Sequence, residues 1–290
     1  MIGRRPPWKE FKAALDAAGF HPSRKLGQNF LLDENTALAI ARDGGVGPGD
    51  FVVEIGVGCG FLSVGLLGTG AHLLGVEVDR RLYAIAAGFL EPLAEPDQLE
   101  LLRADALAKK RAVAPELVER LPVDSPWHLV SNLPYSIASP LLVSMARLPN
   151  PPASMTVLVQ AEVAERLCAK PATSNWGGLS AKLHFTYKAR LTRRVGAGLF
   201  SPRPKVESAV ARLELQAERP SPELIAAADP LVDVFFQSRR KTLLATLSRH
   251  LGDRPAAEAA LVAAGLEPGL RPEVLVPEAF LDLARVLAGA

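Results

Sequence analysis

One stretch limits the folds open to this chain more than any other. The β-branched run Phe51-Val52-Val53-Glu54-Ile55 passes directly into Gly56-Val57-Gly58-Cys59-Gly60, and that into Phe61-Leu62-Ser63-Val64-Gly65-Leu66-Leu67. The first run suits a buried parallel strand and the last a helix. A glycine turn between them makes the opening unit of a doubly wound α/β sheet. Glycines there let the backbone approach a ligand closely, and the helix N-terminus favours negative charge. Ligands of open α/β sheets bind at the carboxyl ends of strands. The residues that end each later strand are therefore the candidates for function.

The glycine spacing points to one ligand class. A dinucleotide fingerprint, Gly-x-Gly-x-x-Gly, would need glycine at Phe61; the chain has Gly-x-Gly-x-Gly preceded by the acid Glu54. That form suits S-adenosylmethionine, which has no pyrophosphate. A second apolar strand, residues 71–76, ends in Glu77, about 20 residues beyond the first glycine and so placed to hydrogen-bond ribose hydroxyls. Asp105 follows the third run, Leu99-Glu100-Leu101-Leu102, and could accept from an adenine amine. Taken singly, each acid is an ordinary solvated strand terminus. In register with the glycine loop, the two are expected to hold the cofactor. Cys59 is expected to be a small buried filler.

Beyond the fourth apolar run, residues 127–131, comes Asn132-Leu133-Pro134-Tyr135. In isolation this is equally well a strand-ending turn whose tyrosine caps the core, because asparagine and proline are ordinary turn formers. Beside a cofactor loop it has a chemical use. An exocyclic amine is a poor nucleophile while its lone pair is delocalised into the ring, and acceptors out of the ring plane draw it towards a tetrahedral amine. The Asn132 side-chain oxygen and a carbonyl of Leu133 or Pro134 could accept the two amine hydrogens, while proline donates nothing. Tyr135 would stack on the base.

Composition fits an ordinary soluble enzyme. The chain has 290 residues, 49% of them hydrophobic, enough to bury a large core. No apolar stretch reaches the roughly 18 residues of a membrane span. The amino-terminal segment has basic residues but no apolar region to make a secretory signal, and Glu10 and Asp16 interrupt any acid-free amphipathic helix, which disfavours a transit peptide. Cys59 and Cys168 lie far apart and in no metal spacing, so a reducing cytoplasm is expected and no metal is. The histidines His21, His72, His128, His184 and His250 stand singly. With no evident coiled coil, a monomer is the default.

The formal charge of +2 announces no nucleic-acid partner, but its distribution does. Residues 186–250 hold twelve basic side chains against six acidic ones, among them Arg203, Lys205, Arg239, Arg240 and Lys241. A basic side on a nearly neutral protein is the footprint of phosphate contact; the plain alternative is a solvated charged face. Arg4, Arg5, Lys9, Lys12, Arg24 and Lys25 form a second basic cluster, and two clusters flanking one pocket fit RNA laid across a cleft. Phe200, on a Phe-Ser-Pro-Arg-Pro-Lys segment, is either a second stacking face for a base or a core residue. The expected RNA contacts are thus Phe200, Lys205, Arg239, Arg240 and Lys241.

Organisation follows the hydrophobic pattern. An amino-terminal arm, residues 1–33, precedes a helix from Glu34 to Arg42 and the alternating strands and helices. Runs at residues 190–195 and 206–215 read as later, antiparallel strands. The polar, proline-bearing stretch 218–223 reads as a linker. Helical patterns follow at 224–236, 241–250, 256–264 and 280–287. The expected division is a catalytic domain over 1–217 and a small helical, RNA-contacting domain over 218–290.

The motifs taken in order resemble the small-subunit (16S) ribosomal RNA adenine N6,N6-dimethyltransferases over most of the chain. They are Lys25-Leu26-Gly27-Gln28-Asn29-Phe30-Leu31, the glycine loop, Val76-Glu77-Val78-Asp79, Ala104-Asp105-Ala106-Leu107 and residues 131–140. Further on come residues 159–167, Phe200-Ser201-Pro202-Arg203-Pro204-Lys205-Val206-Glu207-Ser208-Ala209-Val210 and Phe236-Gln237-Ser238-Arg239-Arg240-Lys241-Thr242-Leu243. The resemblance implies a Rossmann-like class I SAM-dependent methyltransferase fold with a small C-terminal helical domain. It implies that Asn29, Leu31, Gly56, Gly58, Glu77, Asp105 and Asn132 line the S-adenosylmethionine pocket and that Asn132, Leu133, Pro134 and Tyr135 form the amine site. It also implies dimethylation of two adjacent adenosines in a hairpin loop near the 3′ end of small-subunit rRNA, in an immature subunit. Val57 stands where the family often has proline, and Ala104 where it often has glycine; altered loop stiffness is expected, not lost chemistry. A large-subunit rRNA methyltransferase, a methyltransferase of protein glutamine or DNA adenine, and a non-catalytic small-subunit assembly factor remain the alternatives.

Overall fold

The computed structural model describes residues 7–22, 28–108 and 112–289. Its centre is a seven-stranded sheet of β1 (Phe51–Ile55), β2 (His72–Val76), β3 (Leu99–Leu102), β4 (Trp127–Asn132), β5 (Ser154–Gln160), β6 (Tyr187–Val195) and β7 (Ser208–Leu215). The strands lie in the order β3-β2-β1-β4-β5-β7-β6. Strands β1 to β5 pair parallel, and β7 adds to β5 antiparallel, Val210 opposite Leu158. Buried on both faces, β1, β2 and β5 read as almost unbroken apolar runs, as parallel strands must. The chain order reverses between β1 and β4, so the crevice beyond their carboxyl ends is the topological switch point.

The described residues form two compact units, one within Met1–Ala164 with Arg190–Leu215, the other Glu165–Ala189 with Gln216–Ala290. The expected single boundary at 217/218 misses the first crossing. Residues 165–189 join the carboxyl-terminal helices because Trp176, Ala181 and Phe185 complete a core built on Val232, Phe235, Leu247 and Phe280. That unit's helices, Pro222–Gln237, Leu243–Leu251 and Arg254–Ala263, begin on Ser221, Thr242 and Asp253, whose side chains accept backbone N–H bonds at the first turn.

The arm expected over 1–33 contains a helix, Trp8–Ala17. Glu10 and Asp16 lie on its exposed side while Phe11 and Leu15, four residues apart, are buried. Phe11 packs on Phe61 and Phe89, with ring centroids 4.8 and 4.2 Å away. Farther on, Phe30–Leu31 forms a two-residue antiparallel ladder with Phe200–Ser201. Among the described residues no helix is long and apolar enough to cross a membrane.

Candidate active site

Gly56, Gly58 and Gly60 all adopt positive φ, at 78°, 58° and 76°, which explains the alternate-glycine spacing: three separate positions need the left-handed region. Space is short as well. A Cβ on Gly60 would fall 2.9 Å from Leu90, and one on Gly58 would lie 3.2 Å from the Phe30 ring. Val57 donates its N–H to the Val76 carbonyl at 3.3 Å, a bond that proline in its place could not make.

The loop opens onto a cavity lined by Asn29 and Leu31, by Gly56 to Cys59, by Glu77, Val78, Ala104 and Asp105, and by Asn132 to Ile137. Its acids are Glu54, Glu77 and Asp105, and no lysine, arginine or histidine lines it among the described residues. Glu77 binds two backbone donors, Gly58 N–H through Oε2 and Asp79 N–H through Oε1, both at 2.9 Å. Burial raises its pKa, while those two N–H groups favour the ionised form. Asp105 is exposed and accepts from the Leu107 N–H at 3.0 Å, which fixes the turn beyond β3. Cys59 is buried, its thiol pushed up to about 12 first by desolvation and then by Glu77, and packs among Phe11, Phe30 and Phe61.

Asn132 ends β4 and lines the same cavity as the glycine loop. Its Nδ2 donates to the Asn29 carbonyl at 3.3 Å, so Oδ1 is the atom left to accept. The Pro134 carbonyl takes the Ile137 N–H at 3.1 Å. Tyr135 is half-buried, with its hydroxyl 2.8 Å from Ser208 Oγ, which holds the ring beside the cavity. Ser131 Oγ, donating to the Ile55 carbonyl at 2.6 Å, ties β4 to β1 directly beneath the two loops.

Glu54, read from the sequence as the acid that precedes the glycine loop but given no contact of its own, lines the same cavity, 1% exposed. Ser63 Oγ donates to its Oε2 at 2.5 Å. Burial pushes its pKa to about 8, with the charge of Glu77 adding to the rise against the Ser63 bond. Glu54 is therefore largely protonated at neutrality, and the folded state holds more protons than the unfolded chain between pH 4.5 and about 8. Its contribution to stability is complete below 4.5 and is lost as pH rises through about 8, at up to roughly 1.4 kcal/mol per pH unit. Glu54→Gln, which mimics the protonated acid, is expected to flatten that fall. Thermal melts of both proteins across this range check it, and parallel curves would show that Glu54 does not titrate there.

Every expected cofactor and amine residue, Asn29, Leu31, Gly56, Gly58, Glu77, Asp105 and Asn132 to Tyr135, lies on this one cavity. The expected RNA contacts fare differently. Phe200 is corrected: 4% exposed, it packs with Leu31, Val195 and Val210 and offers no free face to a base. Lys205 is exposed and lines a second cavity, with Arg203, Gln160, Tyr135 and Ser136. Arg239 is partly buried, bonded to Glu273 at 3.2 Å and to the Ser174 carbonyl at 3.1 Å, while Arg240 and Lys241 are exposed. Lys9 and Lys12 are exposed on the first helix; Arg4, Arg5, Arg24 and Lys25, with Leu26 and Gly27, lie outside the described residues.

Comparisons with known proteins agree with this geometry. The chain is 41% identical over 274 residues to the ribosomal RNA small subunit methyltransferase A of Phenylobacterium zucineum, covering 94% of this chain and 90% of that one. It is 39% identical to the protein of the same name from Corynebacterium diphtheriae, over 96% of this chain and 94% of the relative. Among solved structures it is similar to the 23S rRNA methyltransferase ErmE, at 26% identity and a TM-score of 0.64, covering 89% and 99% of the two chains. A dimethyladenosine transferase from Plasmodium falciparum shares the fold, with a TM-score of 0.70 at 21% identity over 87% and 94%. The family model for ribosomal RNA adenine dimethylase matches residues 19–287. A glycine loop shaped by three positive-φ glycines, facing an Asn-Leu-Pro-Tyr turn at the switch point of such a sheet, is what this match spans, and the chain belongs to the ribosomal RNA adenine dimethylase family.

Proposed function

We propose that this protein transfers methyl groups from S-adenosylmethionine to N6 of two adjacent adenosines in a hairpin loop near the 3′ end of small-subunit rRNA. It acts as a cytoplasmic monomer on an immature small subunit and serves that subunit's biogenesis. The observation that carries the reading is near-full-length identity of 38–41% to small-subunit methyltransferases A, against 26% to the 23S enzyme ErmE. Asn132 facing an acidic, glycine-walled cavity supplies the chemistry.

The residues fit the cofactor. A cavity with the acids Glu77 and Asp105, a largely protonated Glu54 and no basic side chain among the described residues suits a cationic sulfonium better than a pyrophosphate. Glu77 and Asp105 would hold the ribose and adenine ends, and the backbone at Gly56 and Gly58 the remainder. When bound, S-adenosylmethionine supplies an electrophilic methyl group that carries its own leaving group.

The protein's part is position. The target adenine leaves its stack, cheaply from a single-stranded loop, and rests on the Tyr135 ring, a contact of roughly 1–3 kcal/mol. Asn132 Oδ1 accepts one amine hydrogen. With the Pro134 carbonyl engaged by Ile137, the Leu133 carbonyl accepts the other. The nitrogen lone pair is thereby turned out of the ring plane towards the glycine loop, and fixing that approach supplies most of the acceleration. No strong base is required, since the methylated amine becomes positive and loses its proton readily. Arg240 and Lys241, on the helical unit, contact the RNA backbone.

Labelled S-adenosylmethionine, incubated separately with immature small subunits, large-subunit rRNA and duplex DNA, tests the reading by nucleoside analysis. Dimethyladenosine is expected from the small-subunit particles alone. Label in large-subunit rRNA, DNA or protein instead would overturn the assignment, and particle binding without label would leave an assembly factor.

A further inference from the structure

The second cavity differs in character from the first. Its lining, which includes Gln160, Arg203 and Lys205, contains two cations and no acid among the described residues. It shares Gln28, Asn29, Tyr135 and Ser136 with the acidic cavity, so the two are neighbours across the Tyr135 turn. One side suits a sulfonium and the other a phosphate. A nucleotide with its amine at Asn132 has its sugar and phosphate to place, and the basic cavity is where they fit.

Strand register indicates which group meets the sugar. Asn132 of β4 lies opposite Leu158 of β5, and Gln160 is two residues nearer the carboxyl end. Side chains two apart point to one face, so Gln160 stands on the Asn132 face, displaced by roughly 8 Å from strand spacing and rise. Ser208, which holds the Tyr135 hydroxyl, is the antiparallel partner of Gln160. A base stacked on Tyr135 with N6 at Asn132 therefore runs its sugar edge towards Gln160. The Gln160 side chain, partly buried, makes no hydrogen bond among the described residues. Its amide presents a donor and an acceptor together, the complement of a ribose 2′-hydroxyl, which is both.

We propose that Gln160 reads the 2′-hydroxyl of the target adenosine, with Arg203 and Lys205 on its phosphate, and so makes the enzyme select ribose over deoxyribose. The role rests on the function proposed above, but its test separates the two. Small-subunit particles are reconstituted with either ribose or 2′-deoxyribose at the target adenosines, and kcat/KM is measured for wild type and Gln160→Leu. Wild type is expected to lose about ten-fold on the deoxy substrate, the worth of one hydrogen bond. Gln160→Leu is expected to lose about as much on the ribose substrate and to treat both substrates alike, with cofactor affinity unchanged because Gln160 lies outside the acidic cavity. A purely structural role would lower both rates and keep the preference. Equal wild-type rates on the two substrates would overturn the proposal, whatever the variant does, and so would a variant that keeps the wild-type preference. Should Gln160→Leu lose cofactor binding, Gln160→Asn, with its amide drawn back by one methylene, carries the same comparison. Absence of transfer from wild type to ribose particles is a failure of the function itself, distinct from either result.

Discussion

Asn132→Ala is expected to lower the single-turnover rate of methyl transfer by about a hundred-fold or more, the usual cost of removing one preorganised polar group aimed at a reacting atom. The reason lies in the orientation of the amide. Because Nδ2 is committed to the Asn29 carbonyl, Oδ1 is presented as an acceptor before substrate arrives and needs no reorganisation during the reaction. Alanine removes that acceptor and the tie to the 28–31 segment, and leaves the amine lone pair in conjugation with the ring. Binding of small-subunit particles, which the proposed function assigns to basic side chains elsewhere, should change little. The loss should therefore fall on kcat and not on KM. Quenched-flow transfer with particle binding measured in parallel checks both halves, and a fully active Asn132→Ala would remove the amine site as drawn here.

How much of this was legible in the sequence depends on the range of the interaction involved. The glycine loop could be read because each glycine answers a local backbone demand, a positive φ, that one residue meets alone. Glu77 and Asn132 could be read because parallel β-strands deliver their carboxyl-terminal residues to one edge. Phe200 could not be placed, since its burial depends on Leu31 and Val195, far apart in sequence, closing over it. The attachment of residues 165–189 to the helical unit is likewise set by Trp176 and Phe185 finding Phe235 and Phe280. Gln160 falls within the 159–167 stretch of the resemblance but had no role there, and a neutral amide ending a strand stands out only when register sets it beside Tyr135 and Ser208.

Two buried carboxyl groups on one cavity are expected to respond in opposite ways to the same substitution. At Glu54 an amide replaces an acid already protonated near neutrality, and Glu54→Gln should be well tolerated at pH 7. At Glu77 each carboxylate oxygen receives a backbone N–H, from Gly58 and from Asp79. A glutamine there offers one oxygen and one NH2 group, so one buried N–H would face another donor. Leaving such a group unsatisfied costs about 1–3 kcal/mol, and losing a charge-assisted bond a similar amount. The group affected is the middle glycine of the loop or the cap at the start of the next helix, so the loop should lose its set position together with the proposed ribose acceptor. Glu77→Gln and Glu77→Ala are therefore both expected to weaken cofactor binding, on the order of 10- to 100-fold, with the conservative change nearly as harmful as the truncation. Calorimetric titration with S-adenosylhomocysteine measures this directly. Near-wild-type affinity in Glu77→Gln would mean that the carboxyl is held protonated in the folded protein, and that its hold on Gly58 and Asp79 is not what shapes the loop.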